Sequence, residues 1–271
     1  TDQAFVQELL PKVEDPIIRR YWTDQIAQTS DFHKSEVLDY ITSKFGRFVT
    51  NKMIRNIIGQ SKSSFDFRKV MDEQKILLIN LSKGKIGEEN ANFLGLVLVP
   101  KILVAAMSRQ DIPNQEDRKD FFLYVDEFQN FATPDFAQIL SEARKYRLNL
   151  IVANQFIGQM EEEIKNAIFG NVGTIASFRV GVTDANYLQH EFQPLFNEND
   201  LINVDKYNAY MRTIVGGEPV APFSLDTTKD VSKEKVLQND RVAELVRELS
   251  RLKFGKGQDM IENEIATRAR L

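Results

Sequence analysis

The sequence contains no cysteine and only two histidines, His33 and His190. Disulfides and thiolate metal sites are therefore excluded, and an imidazole-based zinc site has almost nothing to draw on. Long apolar runs are missing as well. The longest, Phe93 to Met107, is interrupted by Pro100 and Lys101 and falls short of the ~18 apolar residues of a membrane span. Neither sign of charge dominates: 35 Lys plus Arg face 39 Asp plus Glu, a net charge of −4. There is thus no global basic footprint for nucleic acid. A motor that grips DNA with a few basic residues in a pore remains compatible with that balance. The start, Thr1-Asp2-Gln3-Ala4, has no initiating Met and no signal-peptide pattern, and it reads as a cut end.

What is present suits a soluble globular chain. The 271 residues suffice for one large domain or two small ones, with 42% hydrophobic and 27% charged residues. Three regions separate by pattern. Residues 1–60 read as all-helical. Asp15-Pro16 suits an N-cap followed by proline at the first helical position. Val37, Leu38, Ile41, Phe45 and Phe48 share one helical face, and Gly59 suits the residue after a helix from Met53 to Ile58.

Residues 61–225 alternate apolar runs with amphipathic segments. The runs are Ile76–Leu81, Phe121–Val125, Leu148–Ala153 and Thr174–Val180. Helices are expected at 88–109, 134–146, 158–169 and 183–192, with Thr133-Pro134 and Thr183 as start signals and Gly170 as a stop. Such alternation predicts an α/β fold with buried, mainly parallel strands flanked by helices. Residues 226–271 are polar and charged, with one amphipathic stretch from Val236 to Leu252, and read as a partly helical tail or docking helix. No internal repeat is evident.

The sharpest chemical signal is Phe121-Phe122-Leu123-Tyr124-Val125-Asp126-Glu127: five apolar residues ending in two adjacent carboxylates. A buried strand delivers its last residues to the carboxyl edge of the sheet, where α/β proteins bind ligands. Successive strand residues point to opposite faces, so the two acids are expected to do different work. One suits the shell of a nucleotide-bound Mg²⁺, the other the orientation or deprotonation of a water that attacks a γ-phosphate. Alone, the same pattern also describes a strand ending in solvated acids. The next apolar strand ends in Asn154-Gln155, and an amide there is placed to sense a γ-phosphate. A third run, Thr174 to Phe178, ends in Arg179, a planar cation able to reach a phosphate on a neighbouring subunit. Each strand end has a bland reading as a loop cap or surface charge; the three in succession are less easily coincidental.

In that order, these segments resemble the C-terminal part of the motor domain of the VirD4/TraG/TraD coupling proteins and the related VirB4 ATPases, within the HerA–FtsK superfamily. The resemblance is carried by Lys75 to Gly84, Tyr124 to Phe131, Ser141 to Leu148, Ala153-Asn154-Gln155 and Asn171 to Arg179. It implies a RecA-like sheet, with residues 1–60 in the place of an all-helical insertion. It further implies that Asp126 serves Mg²⁺ through water, Glu127 is the catalytic base, Gln155 the sensor, and Arg179 a finger acting in trans. Arg144 and Arg147 are weaker candidates for the finger or for subunit contact, Arg144 also for nucleotide contact, and a solvated basic helix end complementing the helix dipole is the commoner reason for such residues. The implied activity is ATP hydrolysis coupled to translocation of DNA or protein, in a ring of six, at the cytoplasmic side. Type IV secretion components are implied partners, and the whole protein is of a kind often anchored at the inner face of a bacterial membrane. Two other readings stand beside it: a non-catalytic adaptor that keeps the fold, and a HerA/FtsK-like DNA pump.

The departure from the family lies at the phosphates. No G-x-x-x-x-G-K-[ST] occurs, and Gly59-Gln60-Ser61-Lys62-Ser63-Ser64 lacks the second glycine, so it reads as a turn. In the family that loop precedes the helical insertion. These 271 residues by themselves are therefore expected neither to bind ATP tightly nor to hydrolyse it.

Overall fold

The computed structural model describes residues 3–26, 28–133, 142–230 and 235–269. The chain divides into two compact units, Thr1–Ser61 with Gly257–Leu271, and Lys62–Lys256.

The first unit is helical: α1 (Gln3–Leu9), α2 (Pro16–Arg20, running on as a wider turn to Ile26), α3 (Asp31–Thr50), α4 (Lys52–Ile58) and a last helix, Gln258–Ala269. Local chemistry sets its boundaries. The Asp15 carboxylate accepts from the backbone N–H of Ile17 at 2.8 Å, with Pro16 opening α2. The Asn51 side chain accepts from Ile54 N at 3.2 Å and starts α4. Among the described residues of this unit, Ile54 and Ile261 are the buried apolar ones. Val37, Ile41 and Phe45, the expected apolar face of α3, all remain largely exposed. The last helix is tied to α4 by polar contacts: Glu262 accepts from Asn56 at 3.1 Å and Gln258 at 2.8 Å, and pairs with Lys52 at 3.0 Å. The stretch expected as one tail, 226–271, is thus shared between the two units, because its final turn of sequence carries the partners of α4.

The second unit opens with α5 (Phe67–Asp72), capped by Asp66, whose carboxylate accepts from Arg68 N at 2.7 Å. The short helix α6 (Lys83–Ile86) leads into α7 (Glu88–Met107). Strand β1 (Phe121–Val125) pairs in parallel with β2 (Leu148–Val152), residue for residue from Phe121 opposite Leu148 to Val125 opposite Val152. Then follow α8 (Glu162–Asn171), β3 (Ile175–Ser177), α9 (Val182–Phe192) and α10 (Glu198–Ile202). A long hairpin, β4 (Asn208–Val215) and β5 (Glu218–Asp226), turns through Gly216 and Gly217 at φ 63° and 91°, a conformation that favours glycine at both places. Helix α11 (Asp240–Phe254) closes the unit, and the last helix of the first unit becomes α12 in chain order.

Two apolar clusters hold this unit. One gathers Met71, Val99, Ile102, Leu103, Val125, Phe128 and Leu148, so that α7 packs beneath the parallel pair. The other gathers Ile157, Ala185, Leu188, Phe192 and Leu201 around α9 and α10. The stretch Glu88–Asp111 is long and apolar enough by composition to cross a membrane. Val99, Ile102, Leu103 and Ala106 of α7 lie in the core cluster, while Leu96, Val97 and Val104 are exposed, and Pro100 is accommodated within the helix.

The sheet differs from the expected mainly parallel array. Among the described residues, β1 and β2 alone pair in parallel; β3 instead joins β4 antiparallel, Ala176 opposite Met211, in a separate three-stranded sheet with β5. The hairpin offers β3 a ready antiparallel ladder, which the apolar run alone did not reveal. Ile76–Leu81 forms no ladder among the described residues, and Ile76 and Leu78 are 89% and 83% exposed. An apolar run becomes a strand only where a neighbour accepts its backbone hydrogen bonds. The N-cap of α9 is Gly181, with Thr183 inside the first turn. The expected Pro134 start and most of the helix 134–146 lie outside the described residues; its end is the 3₁₀ turn Ala143–Tyr146.

Candidate functional site at the parallel strand ends

A buried arginine fixes where the two parallel strands begin. Arg109, just after α7, is 0% exposed and donates from Nη1 to the carbonyl of Tyr146 at 2.9 Å and from Nη2 to the carbonyl of Lys119. Those carbonyls precede β2 and β1. Its Nε lies 3.0 Å from Asp72 Oδ1. Burial pushes the Arg109 guanidinium down from its ordinary value, and the Asp72 charge works against that shift. Arg68 joins the same group, with a bidentate pair to Asp111 at 2.6 and 2.7 Å and a contact to Asp72 at 3.2 Å.

At the other end, the ladder runs one step past the strands. Ala153 N donates to Val125 O and Phe128 N to Ala153 O, both at 2.9 Å. Phe128 is fully buried in the core cluster and anchors the turn. Between these fixed points the chain must reverse quickly, and Glu127 takes a left-handed backbone, φ 50° and ψ 45°. Non-glycine residues rarely adopt that region, and such strain concentrates at functional sites. The reversal also cancels the alternation of side chains expected at Asp126 and Glu127. Alternation holds only inside a strand, β1 ends at Val125, and both acids line one cavity of about 660 Å³.

Glu127 is held from two sides. Its Oε1 accepts from the Gln155 side-chain amide and its Oε2 from the Gln129 amide at 2.6 Å. Asp126 is exposed, and its Oδ1 accepts from the Glu127 N–H at 3.0 Å. Asn130 and Lys83 line the same cavity, and Lys83 pairs with Glu88 at 2.7 Å. The structure thus brings together Asp126, Glu127 and Gln155 at the carboxyl ends of adjacent parallel strands.

It does not bring the two arginines there. Arg144 is exposed in the 3₁₀ turn before β2, at the amino end of the parallel pair and so at the opposite edge from the acids. Its position before the strand, rather than after it, decides the edge, so within one chain Arg144 stands apart from the three rim groups. Arg179 is exposed beyond β3, in the other sheet. Its stretch is linked to the rim indirectly. The buried Asp184 of α9 accepts from Ile157 N at 3.1 Å and Gly158 N at 3.3 Å, in the loop that follows Gln155. Gln129 and Asp184 were missed as contributors. An acid in the first turn of a helix was the available signal for Asp184; for Gln129 the sequence offered only an amide two residues after the acid.

Residues 120–190 match the family model described as the TraM recognition site of TraD and TraG. This stretch is a TraG/TraD-like C-terminal segment. It is about a quarter of the chain, but it contains Asp126, Glu127, Gln129, Arg144, Gln155, Arg179 and Asp184. Among solved structures, the bacterial conjugative coupling protein TrwBdeltaN70, in an unbound monoclinic form, aligns with 15% identity and a TM-score of 0.38, over 49% of this chain and 36% of that one. The chain thus spans about a third of the length of that coupling protein. No curated protein matches it.

Proposed function

We propose that the chain is part of an ATP-driven DNA translocase of the conjugative coupling type, built on a RecA-like domain. The observation that carries this reading is the direct bond between Glu127 and the Gln155 amide at the carboxyl ends of two parallel strands, with Asp126 beside them. The TraG/TraD-like character of the same stretch supports it. In this reading Glu127 accepts a proton from the attacking water, and Gln155 senses the terminal phosphate. Mg²⁺ is commonly held by one or two carboxylates together with phosphates and water. Asp126 fits that demand: it is exposed to the cavity, and among the described residues no hydrogen bond is made to its Oδ2. A bound Mg²⁺ would supply charge neutralisation for the phosphates.

Arg179 and Arg144, both exposed and away from the rim, are assigned to the face that meets the next subunit, Arg179 as the finger acting in trans. That arrangement requires a ring, which we take to have six subunits, working on the cytoplasmic side with DNA and type IV secretion components as partners. The test is steady-state ATP turnover of the full-length protein, with and without DNA, against Glu127→Gln. DNA-stimulated turnover lost in the variant supports the motor. Equal turnover in both removes Glu127 from the chemistry, and no turnover in either leaves the fold-keeping adaptor as the better account.

A further inference from the structure

Gln129 does not line the cavity that Asp126, Glu127 and Gln155 share, yet its amide is bonded to Glu127. Each oxygen of the Glu127 carboxylate is thus taken by a different amide, and the two amides sit in different surroundings. Gln155, on Oε1, is exposed at the end of β2 and lines the cavity. Gln129, on Oε2, is half-buried in the 3₁₀ turn Phe128–Asn130, which the buried Phe128 anchors. One hold faces the cavity; the other is built into the turn.

The orientation of the Gln129 amide is fixed by chemistry. Reversed, it would set a carbonyl oxygen against a carboxylate; as placed, Nε2 donates to Oε2. Its own Oε1 is then buried, with no donor among the described residues. A buried acceptor left in this way is unfavourable, and so is the left-handed backbone of Glu127. Both disfavoured features belong to one arrangement, the presentation of the Glu127 carboxylate by Gln129.

We propose that Gln129 is a positioning residue: it fixes Glu127 through Oε2, so that Oε1 is the oxygen that accepts the proton once the Gln155 amide turns from Glu127 to the phosphate. Gln155 thereby shields the base until a nucleotide is present, while Gln129 holds the base in both states. The balance is simple, since one proton passes from water to Oε1 and the hydroxide oxygen bonds to the γ-phosphorus as the bond from that phosphorus to the β–γ bridging oxygen breaks and ADP departs. The proposal rests on the translocase reading for its catalytic meaning, but the clamp itself does not.

Two measurements separate those two levels. In the 271-residue chain with ¹⁵N-labelled glutamine, the side-chain amide signals of Gln129 and Gln155 are assigned with Gln129→Leu and Gln155→Leu. Glu127→Ala is expected to move both signals; a Gln129 signal that stays in place overturns the clamp, whatever the protein does with ATP. In the full-length ATPase, Gln129→Leu is expected to lower kcat about tenfold with KM and the melting temperature unchanged. A kcat within twofold of the parent, or an effect on KM alone, overturns the positioning role. If the full-length protein has no turnover at all, the translocase reading fails and the first measurement still decides the clamp.

Discussion

The ring of Phe131 fills the space that a side chain at Gly95 would need: a Cβ there would stand 2.1 Å from Cε1 and 2.2 Å from Cδ1. Gly95 lies in the middle of α7, and Phe131 follows the turn that carries Glu127 and Gln129. Both residues line the cavity. In an open helix, Gly→Ala is expected to stabilise by roughly 1 kcal/mol. Here the sign should reverse, because Phe131 must leave its place; overpacking of this kind costs about 1–3 kcal/mol. Urea unfolding of Gly95→Ala should show a lower midpoint, and adding Phe131→Leu should recover most of it. A midpoint above that of the parent would show that the ring yields freely.

Glu127→Gln tests the chemistry in the full-length protein. The substitution keeps the volume and removes the proton acceptor, so turnover should fall by about 10²–10⁴, the usual contribution of a general base. Nucleotide affinity should change little. Asp126→Asn should instead weaken Mg²⁺ binding, seen as a rise in the Mg²⁺ concentration needed for half-maximal rate.

The 271-residue chain itself should not bind MgATP in the micromolar range by calorimetry. Three groups gather at the rim, but the sequence contains no glycine-rich loop with lysine to grip the β- and γ-phosphates. Micromolar binding by this chain would mean that other residues, with Lys83 the nearest cation in the cavity lining, supply that grip.

Much of this rim was legible from β1 and β2, and the reason is physical. Their apolar runs are bounded on both sides by polar residues, and pairing in parallel over a helix packs one face of them, Phe121, Leu123 and Val125 in β1, while Phe122 and Tyr124 stay exposed, so their last residues fall on one edge. Reading failed where pairing depended on a partner strand. Thr174–Val180 looked the same in composition, yet β3 follows the β4–β5 hairpin, whose Gly216-Gly217 turn signal was passed over. Ile76–Leu81 shows the same limit from the other side, an apolar run without a ladder. The Glu127 clamp was not legible at all, since the left-handed turn that sets Gln129 against Oε2 follows from the anchoring of Phe128, a tertiary effect. Arg109 was invisible for a related reason: an arginine after a helix usually solvates its C-terminus, and only the fold buries it.

Arg109→Leu follows from that burial. The change removes the donors of the Tyr146 and Lys119 carbonyls and one of the two cationic partners of Asp72, which keeps Arg68 at 3.2 Å. Leaving a buried hydrogen-bonding group without its partner costs about 1–3 kcal/mol, and two carbonyls lose their donors here. The amino ends of β1 and β2 lose their common tie, so amide exchange should accelerate at Phe121 and Leu148 before it does in α9. Uniform acceleration across the unit would instead mean that Arg109 only adds to global stability.

Acid should loosen the first unit in a residue-specific way. Hydrogen bonds from Gln258, Lys52 and Asn56 hold the Glu262 carboxyl near 2, against an ordinary value of 4.5. A carboxyl lowered in the folded state favours folding fully above its unfolded value, and that contribution disappears as pH falls through the folded one. The tie between α12 and α4 should therefore be intact at neutral pH and weaken as pH drops from about 4.5 toward 2. Other carboxylates titrate in the same window, so the informative quantity is the difference between the parent and Glu262→Gln. Amide exchange in α12, followed from pH 6 to pH 2.5, should be slower in the parent at the upper end, and the difference between the two proteins should narrow steadily toward the lower. A constant difference across that range would mean that the three donors hold Glu262 by geometry alone, with no dependence on its charge.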